Sequence, residues 1–349
     1  MALVLIMAAA MWGIGAAMGT PHQLRWGMIG VLWLAVVAVH LVLPDGHALR
    51  MATGESPALW LLLGAAASLV LAYRVGLRRL RQSAEARNVP PEPQGTFSNA
   101  ELERYARQII LREVGGPGQK KLKEARVLVI GAGGLGSPAL LYLAAAGVGT
   151  IGVIDDDHVD ASNLQRQIIH TDGRLFLPKV QSAVQAMADL NPFITLRPYQ
   201  RRLQPDMAEA LFEEYDIILD GTDNFDTRYL ANAAAVKLGK PLISGALSQW
   251  EGQISVFDPA RGTPCYQCIF PQAPAPELAP SCAEAGVVGP LPGVIGSMMA
   301  IETIKLITGA GAPLRSEMLI YDALYGESRK MGLKPRGDCP ICGGTGTPT

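Results

Sequence analysis

A glycine-rich turn and a carboxylate follow one another in an order that suits phosphate chemistry. Residues 131–136 read Gly-Ala-Gly-Gly-Leu-Gly and lie between a branched apolar strand pattern and an apolar helix pattern. Glycines let backbone amides approach phosphate oxygens, and a helix N-terminus attracts negative charge. Asp155 comes nineteen residues later, at the end of a second strand pattern, where a carboxylate can accept hydrogen bonds from ribose hydroxyls. We therefore predict a nucleotide site whose loop glycines are Gly131, Gly133, Gly134 and Gly136.

Two cations decide which nucleotide this pattern favours. NAD or FAD is the commoner ligand of such a loop, but splitting a triphosphate requires cations that follow the developing charge. Arg166 and Lys179 can supply that charge, so we expect ATP. Asp223 follows the strand pattern of residues 216–220 and could hold Mg²⁺ there. The alternatives are that Arg166 and Lys179 are solvated surface charges and that Asp223 caps the next helix.

The cysteines fall into two Cys-x-x-Cys pairs and one single residue. Cys265, Cys268, Cys339 and Cys342 have the spacing of a structural zinc site, in which each two-residue spacer lets both sulfurs face one ion. Two disulfides are the alternative, which a reducing compartment disfavours. Cys282 lies in a stretch rich in proline and alanine, residues 271–290. It is either a catalytic residue or a small buried hydrophobe.

The first eighty residues have a membrane-like composition. Residues 2–19, 27–43 and 57–73 are uncharged and apolar, and each reaches roughly the 17 residues needed to cross hydrocarbon. Five arginines follow the third run, whereas Arg50 alone lies in the connection that we expect outside. These patterns predict a multi-pass protein of the inner (cytoplasmic) membrane with about three helices, its N-terminus outside and its catalytic domain in the cytoplasm. A two-span arrangement with a re-entrant or interfacial first segment is the alternative.

The rest of the chain divides into a linker and one domain. We expect a transmembrane region at 1–82, a proline-rich linker at 83–96 and an ATP-binding domain at 97–349. Ser98 and Glu101 have the spacing of a capping box that begins the first soluble helix. The net charge of −1 gives no case for nucleic-acid binding.

Strand and helix patterns alternate after the glycine loop. Such alternation predicts a Rossmann-like, mainly parallel sheet with helices on both faces. The predicted strands are 127–130, 150–154, 194–199, 216–220 and 241–245, and the predicted helices are 138–146, 178–190, 207–213 and 226–238. Residues 254–257, 317–321 and 327–331 are expected to add antiparallel strands, and 293–307 a buried apolar helix.

Taken together, these segments resemble the E1-like (ThiF/MoeB/HesA) adenylyltransferases, and most closely those that serve molybdopterin synthase. The resemblance runs from about residue 102 to 343. It rests on the glycine loop and on segments 104–111, 162–167, 178–180, 221–224, 251–254, 284–287 and 292–297. It implies zinc on the four paired cysteines and, as in some relatives, carrier bonding or sulfur transfer at Cys282. It also implies a homodimer in which the partner subunit receives Arg107, and ATP contacts at Gly134, Asp155, Ser162, Asn163, Leu164, Gln165, Arg166, Lys179, Asp223 and Asn224.

The resemblance implies a reaction as well. The C-terminal carboxylate of a small ubiquitin-like sulfur-carrier protein would attack the α-phosphate of ATP, with Mg²⁺ on Asp223. The molybdopterin-synthase small subunit is the expected carrier, and a thiamine-thiazole carrier or another one is the alternative. Because the chain ends at Thr349, soon after the zinc pair, we expect a separate sulfur donor. An NAD(P)-linked oxidoreductase and a membrane-held nucleotide-binding module without turnover are the competing classes.

Overall fold

The computed structural model describes residues 2–54, 56–87, 95–274 and 285–343, with the side chains of 81–87 left out. The chain divides into two units, Met1–Glu92 and Pro93–Thr349. The described part of the first unit is helical. Its helices are α1 (Ala2–Ala17), α2 (His22–Val42), α3 (Ala48–Thr53) and α4 (Ala58–Arg87). Because α4 continues to Arg87, the first five residues of the predicted linker are helical.

Two helices of the first unit have the length and composition of membrane spans, namely His22–Val42 and the Ala58–Leu80 part of α4. Pro290–Thr308 in the second unit also meets this description, but half of its apolar window is buried in the protein. Helix α1 is apolar but has 16 residues, or about 24 Å at about 1.5 Å per residue. That length is short of a hydrocarbon core of about 30 Å. By length, α1 therefore fits a re-entrant or interfacial first segment better than a full span.

The second unit is built on one sheet of eight strands, in the order β3-β2-β1-β4-β5-β6-β7-β8. Strands β1 to β5 are parallel and β6 to β8 are antiparallel, which confirms the predicted Rossmann-like α/β fold. The strands are β1 (Arg126–Ile130), β2 (Thr150–Ile154), β3 (Thr195–Tyr199), β4 (Ile217–Asp220), β5 (Leu242–Leu247), β6 (Glu251–Phe257), β7 (Glu317–Asp322) and β8 (Glu327–Gly332). The helices are α5 (Asn99–Ile109), α6 (Gly115–Glu124), α7 (Gly136–Ala146), α8 (Lys179–Leu190), α9 (Pro205–Glu213), α10 (Phe225–Lys237), α11 (Tyr266–Ile269) and α12 (Pro290–Thr308).

Helices cover both faces of this sheet. Along β1, Val127 and Val129 belong to a core formed with α7, α8 and α12, whereas Leu128 and Ile130 belong to a core formed with α9 and α10. Successive side chains of a strand point to opposite faces, so one apolar strand contributes to both cores. This explains why β1 reads as an unbroken apolar run instead of an alternating one.

Local signals place the first helix of this unit correctly but miss the second. Glu101 accepts a hydrogen bond from the backbone of Ser98 at 2.8 Å, and the Ser98 hydroxyl accepts one from the backbone of Glu101 at 3.3 Å. The predicted capping box is therefore confirmed. Helix α6 was not predicted, because its first residues read Gly-Gly-Pro-Gly, a sequence typical of turns. Its residue Leu122 is fully buried in the core, which stabilises the helix.

Candidate nucleotide site

The carboxyl ends of neighbouring strands bring the predicted site residues together. Ile130 at the end of β1 pairs with Ile154 of β2 on one side and with Asp220 of β4 on the other. The glycine loop, Asp155 and the turn after β4 therefore meet at one edge of the sheet, where ligands bind in open α/β folds. A cavity of about 1090 Å³ opens there. Of the predicted ligands, its lining includes Gly131, Gly133, Gly134, Asp155, Asn163, Arg166, Lys179, Asp223 and Asn224.

The described cavity lining does not contain every predicted site residue. In the described part of the chain, the cavity lining does not include Gly136, Ser162, Leu164 or Gln165. Arg107 is exposed on α5 and is likewise not part of the lining in its own chain. Cys282 lies outside the described residues.

The glycine loop is shaped by close backbone contacts. Gly131 has φ = 92°, in the left-handed region that favours glycine. A Cβ at Gly136 would lie 1.9 Å from the Gly131 carbonyl oxygen, so no other residue fits there without a shift. Helix α7 begins at this point without a side-chain cap. The Ser137 amide donates to the Gly133 carbonyl oxygen at 2.9 Å and Pro138 has no amide hydrogen, so the helix dipole is what attracts an anion here.

Asp155 is tied to the glycine loop. Its Oδ2 accepts a hydrogen bond from the backbone of Ala132, and its Oδ1 accepts one from the backbone of Asp157, both at 2.8 Å. Burial raises the pKa of Asp155, although Lys179 and the Ala132 amide act in the opposite direction. The carboxylate is thus held in place beside the loop, where it can accept hydrogen bonds from ribose hydroxyls.

The two predicted cations are held by polar neighbours. Lys179 is 5% exposed, begins α8 and contacts Oδ2 of Asp157 at 2.8 Å through its Nζ. Arg166 is half-buried and donates to Oδ1 of Asn163 at 2.7 Å. The alternative of solvated surface charges is therefore wrong for Lys179, and Arg166 is partly withdrawn from solvent. Both cations face the cavity.

The turn after β4 shows which residue caps the next helix. Asn224 is the N-cap of α10, because its Oδ1 accepts a hydrogen bond from the backbone of Thr227 at 3.0 Å. The capping alternative for Asp223 is therefore wrong. Asp223 is exposed and lines the cavity, so its carboxylate is free of any capping duty.

Sequence reasoning missed two buried polar residues next to the loop. Gln167 is 4% exposed and lines the cavity, and its Oε1 has no hydrogen-bond partner in the described structure. His170 contacts the Ala132 carbonyl oxygen through Nε2 and the Ser182 hydroxyl through Nδ1, both at 2.9 Å. Burial lowers the pKa of His170, so the neutral ring supports the loop. Gln167 stands in the segment 162–167 that carried the resemblance, and that position was the available signal.

The cavity extends beyond the nucleotide end of the site. It continues along the strand ends to the β5–β6 turn, which contains Trp250, and to Leu324 in the β7–β8 turn. The Ala323 amide donates to the Trp250 carbonyl oxygen at 2.8 Å, which joins the two turns. Gln249 donates to the Ala285 carbonyl oxygen, also at 2.8 Å. One cavity thus leads from the glycine loop to an exposed apolar rim.

The four paired cysteines form one buried cluster. Their Sγ atoms lie within 4.8 Å of one another, with separations of 3.9 Å for Cys265–Cys268, 3.6 Å for Cys265–Cys339 and 3.3 Å for Cys268–Cys342. Four sulfurs around one zinc ion would be about 3.8 Å apart, whereas a disulfide requires about 2 Å. The disulfide alternative is therefore wrong for this structure, and the donor set suits zinc. Burial raises the pKa of Cys265 to about 11.

The Cys339 thiol titrates differently from Cys265. Burial acts to raise its pKa, but hydrogen bonds with the backbone of Cys342 and Ile341 and with the Cys265 and Cys268 side chains together lower the pKa to about 7. Tyr266, between the two cysteines of the first pair, packs edge to face on Phe257. This packing joins the cysteine cluster to the core of the sheet.

The glycine loop, the acidic strand ends and the buried lysine define a nucleotide-binding α/β protein with a Rossmann-like sheet. Residues 105–341 match the ThiF family. The chain belongs to that family.

Curated relatives cover this unit to different extents. A sulfur carrier protein adenylyltransferase of Thermus thermophilus is 47% identical over 251 residues, which are 71% of this chain and 93% of the relative. The probable adenylyltransferase/sulfurtransferase MoeZ of Mycobacterium tuberculosis is 50% identical over 258 residues, 72% of this chain and 66% of the relative. The adenylyltransferase and sulfurtransferase MOCS3 of Arabidopsis thaliana is 45% identical over 254 residues, 72% of this chain and 54% of the relative. The chain thus spans little more than half of MOCS3.

Solved structures share the fold at lower identity. The crystal structure of E. coli MccB has a TM-score of 0.63 and 21% identity, covering 73% of this chain and 75% of MccB. The structure of PaaA has a TM-score of 0.60 and 21% identity, covering 85% of this chain and 89% of PaaA. These likenesses concern the fold alone.

Proposed function

We propose that this protein adenylates the C-terminal carboxylate of a small ubiquitin-like sulfur-carrier protein. The observation that carries the proposal is the shape of the cavity, which joins the glycine loop and two cations to an exposed rim near Trp250. Its volume of about 1090 Å³ lies just above the roughly 300–1,000 Å³ of a small-molecule site. Such a cavity has room for a nucleotide and for a peptide tail that enters from the rim. The name of the Thermus thermophilus relative, a sulfur carrier protein adenylyltransferase, supports a carrier as that second occupant.

The proposed reaction needs alignment and charge more than proton transfer. A carboxylate oxygen of the carrier forms a bond to the α-phosphorus of ATP, and the bond from that phosphorus to the oxygen bridging the β-phosphate breaks. Pyrophosphate leaves with the electron pair, and the carrier becomes an acyl adenylate. A carboxylate is already ionised at neutral pH, so no general base is required. Arg166 and Lys179 face the cavity and would neutralise the developing phosphate charge.

The site residues suit Mg²⁺ as a further source of positive charge. Mg²⁺ is usually bound by carboxylate oxygens together with oxygens of the substrate phosphates. Asp223 offers an exposed carboxylate on the cavity wall, at the strand end next to the glycine loop. When bound there, Mg²⁺ would neutralise phosphate oxygens, and Asp223 would hold it.

The cysteine cluster suits a structural zinc ion. Four buried sulfurs would fill every coordination position, which leaves no place for a reactive water. Zinc would then tie residues 339–342 to α11 and to the sheet.

We also propose a homodimer and a membrane location. Arg107 is exposed and absent from the described lining of its own cavity, which supports a role in the cavity of a partner subunit. Large apolar side chains are also exposed on α7 and α12, at Tyr142 and Ile301, which supports a subunit interface.

The first unit exposes many more large apolar side chains along α1, α2 and α4, and water disfavours so large an apolar surface. We propose that lipid of the cytoplasmic membrane covers this surface, and that the second unit and the arginines that follow Tyr73 are both on the cytoplasmic side.

The molybdopterin-synthase small subunit is the carrier that we propose, and a thiamine-thiazole carrier is the rival. A separate protein would donate the sulfur that converts the adenylate to a thiocarboxylate. The names of the relatives, which combine adenylyltransferase and sulfurtransferase activities, support a pathway of this kind.

Carrier-dependent ATP–pyrophosphate exchange tests the proposal. Each candidate carrier is added to the protein with ATP, Mg²⁺ and labelled pyrophosphate, and label is measured in ATP. We expect exchange with one carrier and none with a carrier that lacks its C-terminal residue. ATP binding without exchange for every carrier would refute the enzyme and favour the nucleotide-binding module.

A pair of acidic variants tests the metal assignment in the same assay. Asp223→Ala should lower exchange by at least about 100-fold, because it removes a charge that stabilises the transition state. Asp226→Ala is the matched control: Asp226 is exposed in the first turn of α10 and is not among the described cavity residues. Near-normal exchange by folded Asp223→Ala protein would contradict the assignment.

A further inference from the structure

A buried arginine lies directly behind the turn that carries Asp223. Arg228 is in the second turn of α10 and is 4% exposed. Its Nη1 donates to the Ser244 hydroxyl at 3.0 Å, and its Nη2 donates to the Gly245 carbonyl oxygen at 2.9 Å. Nη2 also donates to the carbonyl oxygen of Thr222, the residue immediately before Asp223. The guanidinium therefore joins the β4–α10 turn to the middle of β5.

The same turn is held from its other side by Asp220. This carboxylate is fully buried, and its Oδ1 accepts hydrogen bonds from the Thr222 backbone at 3.1 Å and from the Thr222 hydroxyl at 2.7 Å. Its Oδ2 accepts one from the Ser244 hydroxyl at 3.2 Å and lies 3.6 Å from Nη1 of Arg228. Both the amide and the carbonyl group of Thr222 are thus bound to buried charged groups. The backbone leading into Asp223 has little freedom to rotate.

Stability alone does not explain the buried pair of Arg228 and Asp220. A buried ion pair of this kind usually contributes little to stability, because the desolvation of both charges offsets their attraction. A guanidinium has a rigid fork that can bind several acceptors at fixed angles, which a lysine ammonium cannot reproduce. The acceptors here belong to the turn and to β5, so the fork fixes their spacing. The β4–α10 turn, which is fixed in this way, carries the exposed Asp223 carboxylate on the cavity wall.

We propose that Arg228 is a positioning residue that sets the Asp223 carboxylate for Mg²⁺ bound with ATP. The inference rests on the proposed function for the identity of the metal and the nucleotide. Arg228 acts through the Thr222 carbonyl group and not by contact with the metal. Groups that orient a metal ligand in this way typically change metal affinity by about 10- to 100-fold when they are replaced.

Calorimetric titration of ATP into the full-length protein, with Mg²⁺ and then with a chelator, isolates this role from catalysis. Arg228→Lys keeps the positive charge but loses the fork. We expect its affinity for ATP without metal to equal that of the wild type, while the gain in affinity from Mg²⁺ falls by about 10- to 100-fold. Arg126→Lys is the matched control, because Arg126 forms a partly exposed ion pair of 3.0 Å with Asp216, which lies at the opposite end of β4. Its Mg²⁺ dependence should be unchanged.

Ser244→Ala is the second variant, since it removes one acceptor of Arg228 while keeping the buried pair. We expect a smaller loss of Mg²⁺ dependence in the same direction. Folded Arg228→Lys protein with the Mg²⁺ dependence of the wild type would overturn the inference. If Arg228→Lys does not fold, an unchanged Mg²⁺ dependence in Ser244→Ala overturns it instead. Failure of the proposed function is distinct: it would show as absent carrier-dependent exchange in the wild type, whatever the two variants do to Mg²⁺ and ATP binding.

Discussion

Substitution of Gly136 by alanine should damage the nucleotide loop by an amount that the structure allows us to work out. The new Cβ would lie 1.9 Å from the Gly131 carbonyl oxygen and would have to move to at least 3.0 Å, a shift of about 1.1 Å. Overpacking of this kind costs about 1–3 kcal/mol. For a domain of this size that corresponds to a decrease in Tm of about 2 to 12 °C. A displacement of about 1 Å at a binding loop can also cost about 100-fold in function.

The matched control is alanine at Gly133, in the same loop. The nearest atom to a Cβ at that position is Nε2 of Gln167, at an ordinary contact distance of 3.7 Å. We expect Gly133→Ala to leave Tm unchanged or to raise it slightly, because alanine lowers the entropy of the unfolded chain. Thermal unfolding and calorimetric titration of ATP measure both effects. Equal Tm values for the two variants, together with wild-type ATP affinity in Gly136→Ala, would refute the steric argument.

Three further predictions concern the metal, the pH dependence and the division of the chain. Purified protein should hold one zinc ion per chain, and Cys339→Ser should lower Tm while the protein that remains folded keeps most of its exchange activity. Metal analysis that finds no zinc in fresh reduced protein would contradict this. Burial lowers the pKa of His170, so its contribution to stability is present above about pH 6.5 and is lost as the pH falls below that value. His170→Gln should remove that part of the acid destabilisation measured by urea unfolding, and an identical pH profile would exclude the role. Deletion of residues 1–88 should release a soluble domain that still activates its carrier, and a folded dimer that binds ATP without exchange would show that the first unit takes part in catalysis.

The sequence by itself was sufficient to predict the order of the strands and of most helices in the second unit. Apolar runs of strand length bounded by turn residues gave β1 to β5, and the three later runs gave the antiparallel strands β6 to β8. The spacer in each Cys-x-x-Cys pair likewise predicted a common cluster for four cysteines. These features are local, because backbone periodicity and the geometry of a short turn depend on residues that are close in the chain. Helix α6 was missed because its stability comes from the burial of Leu122, a tertiary contact, and not from its local sequence.

The partners of the site residues were decided by tertiary structure alone. The sequence marked Lys179 as a candidate but did not show that it is buried against Asp157. It also left Asp223 open between a metal ligand and the cap of α10, and only the hydrogen bond from Thr227 to Asn224 shows that Asp223 is not the cap. Contacts of this kind join side chains whose positions depend on which strands are neighbours and in which register.

The buried network behind Asp223 shows the limit most clearly. Asp220, Arg228 and Ser244 come from a strand, a helix and the next strand, and no pattern in the sequence connects them. A buried charge must find its partners wherever the folded backbone places them, because leaving it unpaired costs several kcal/mol, about 3–5. The sequence therefore determines which residues can do chemistry, and the packing of the sheet determines how they are aimed.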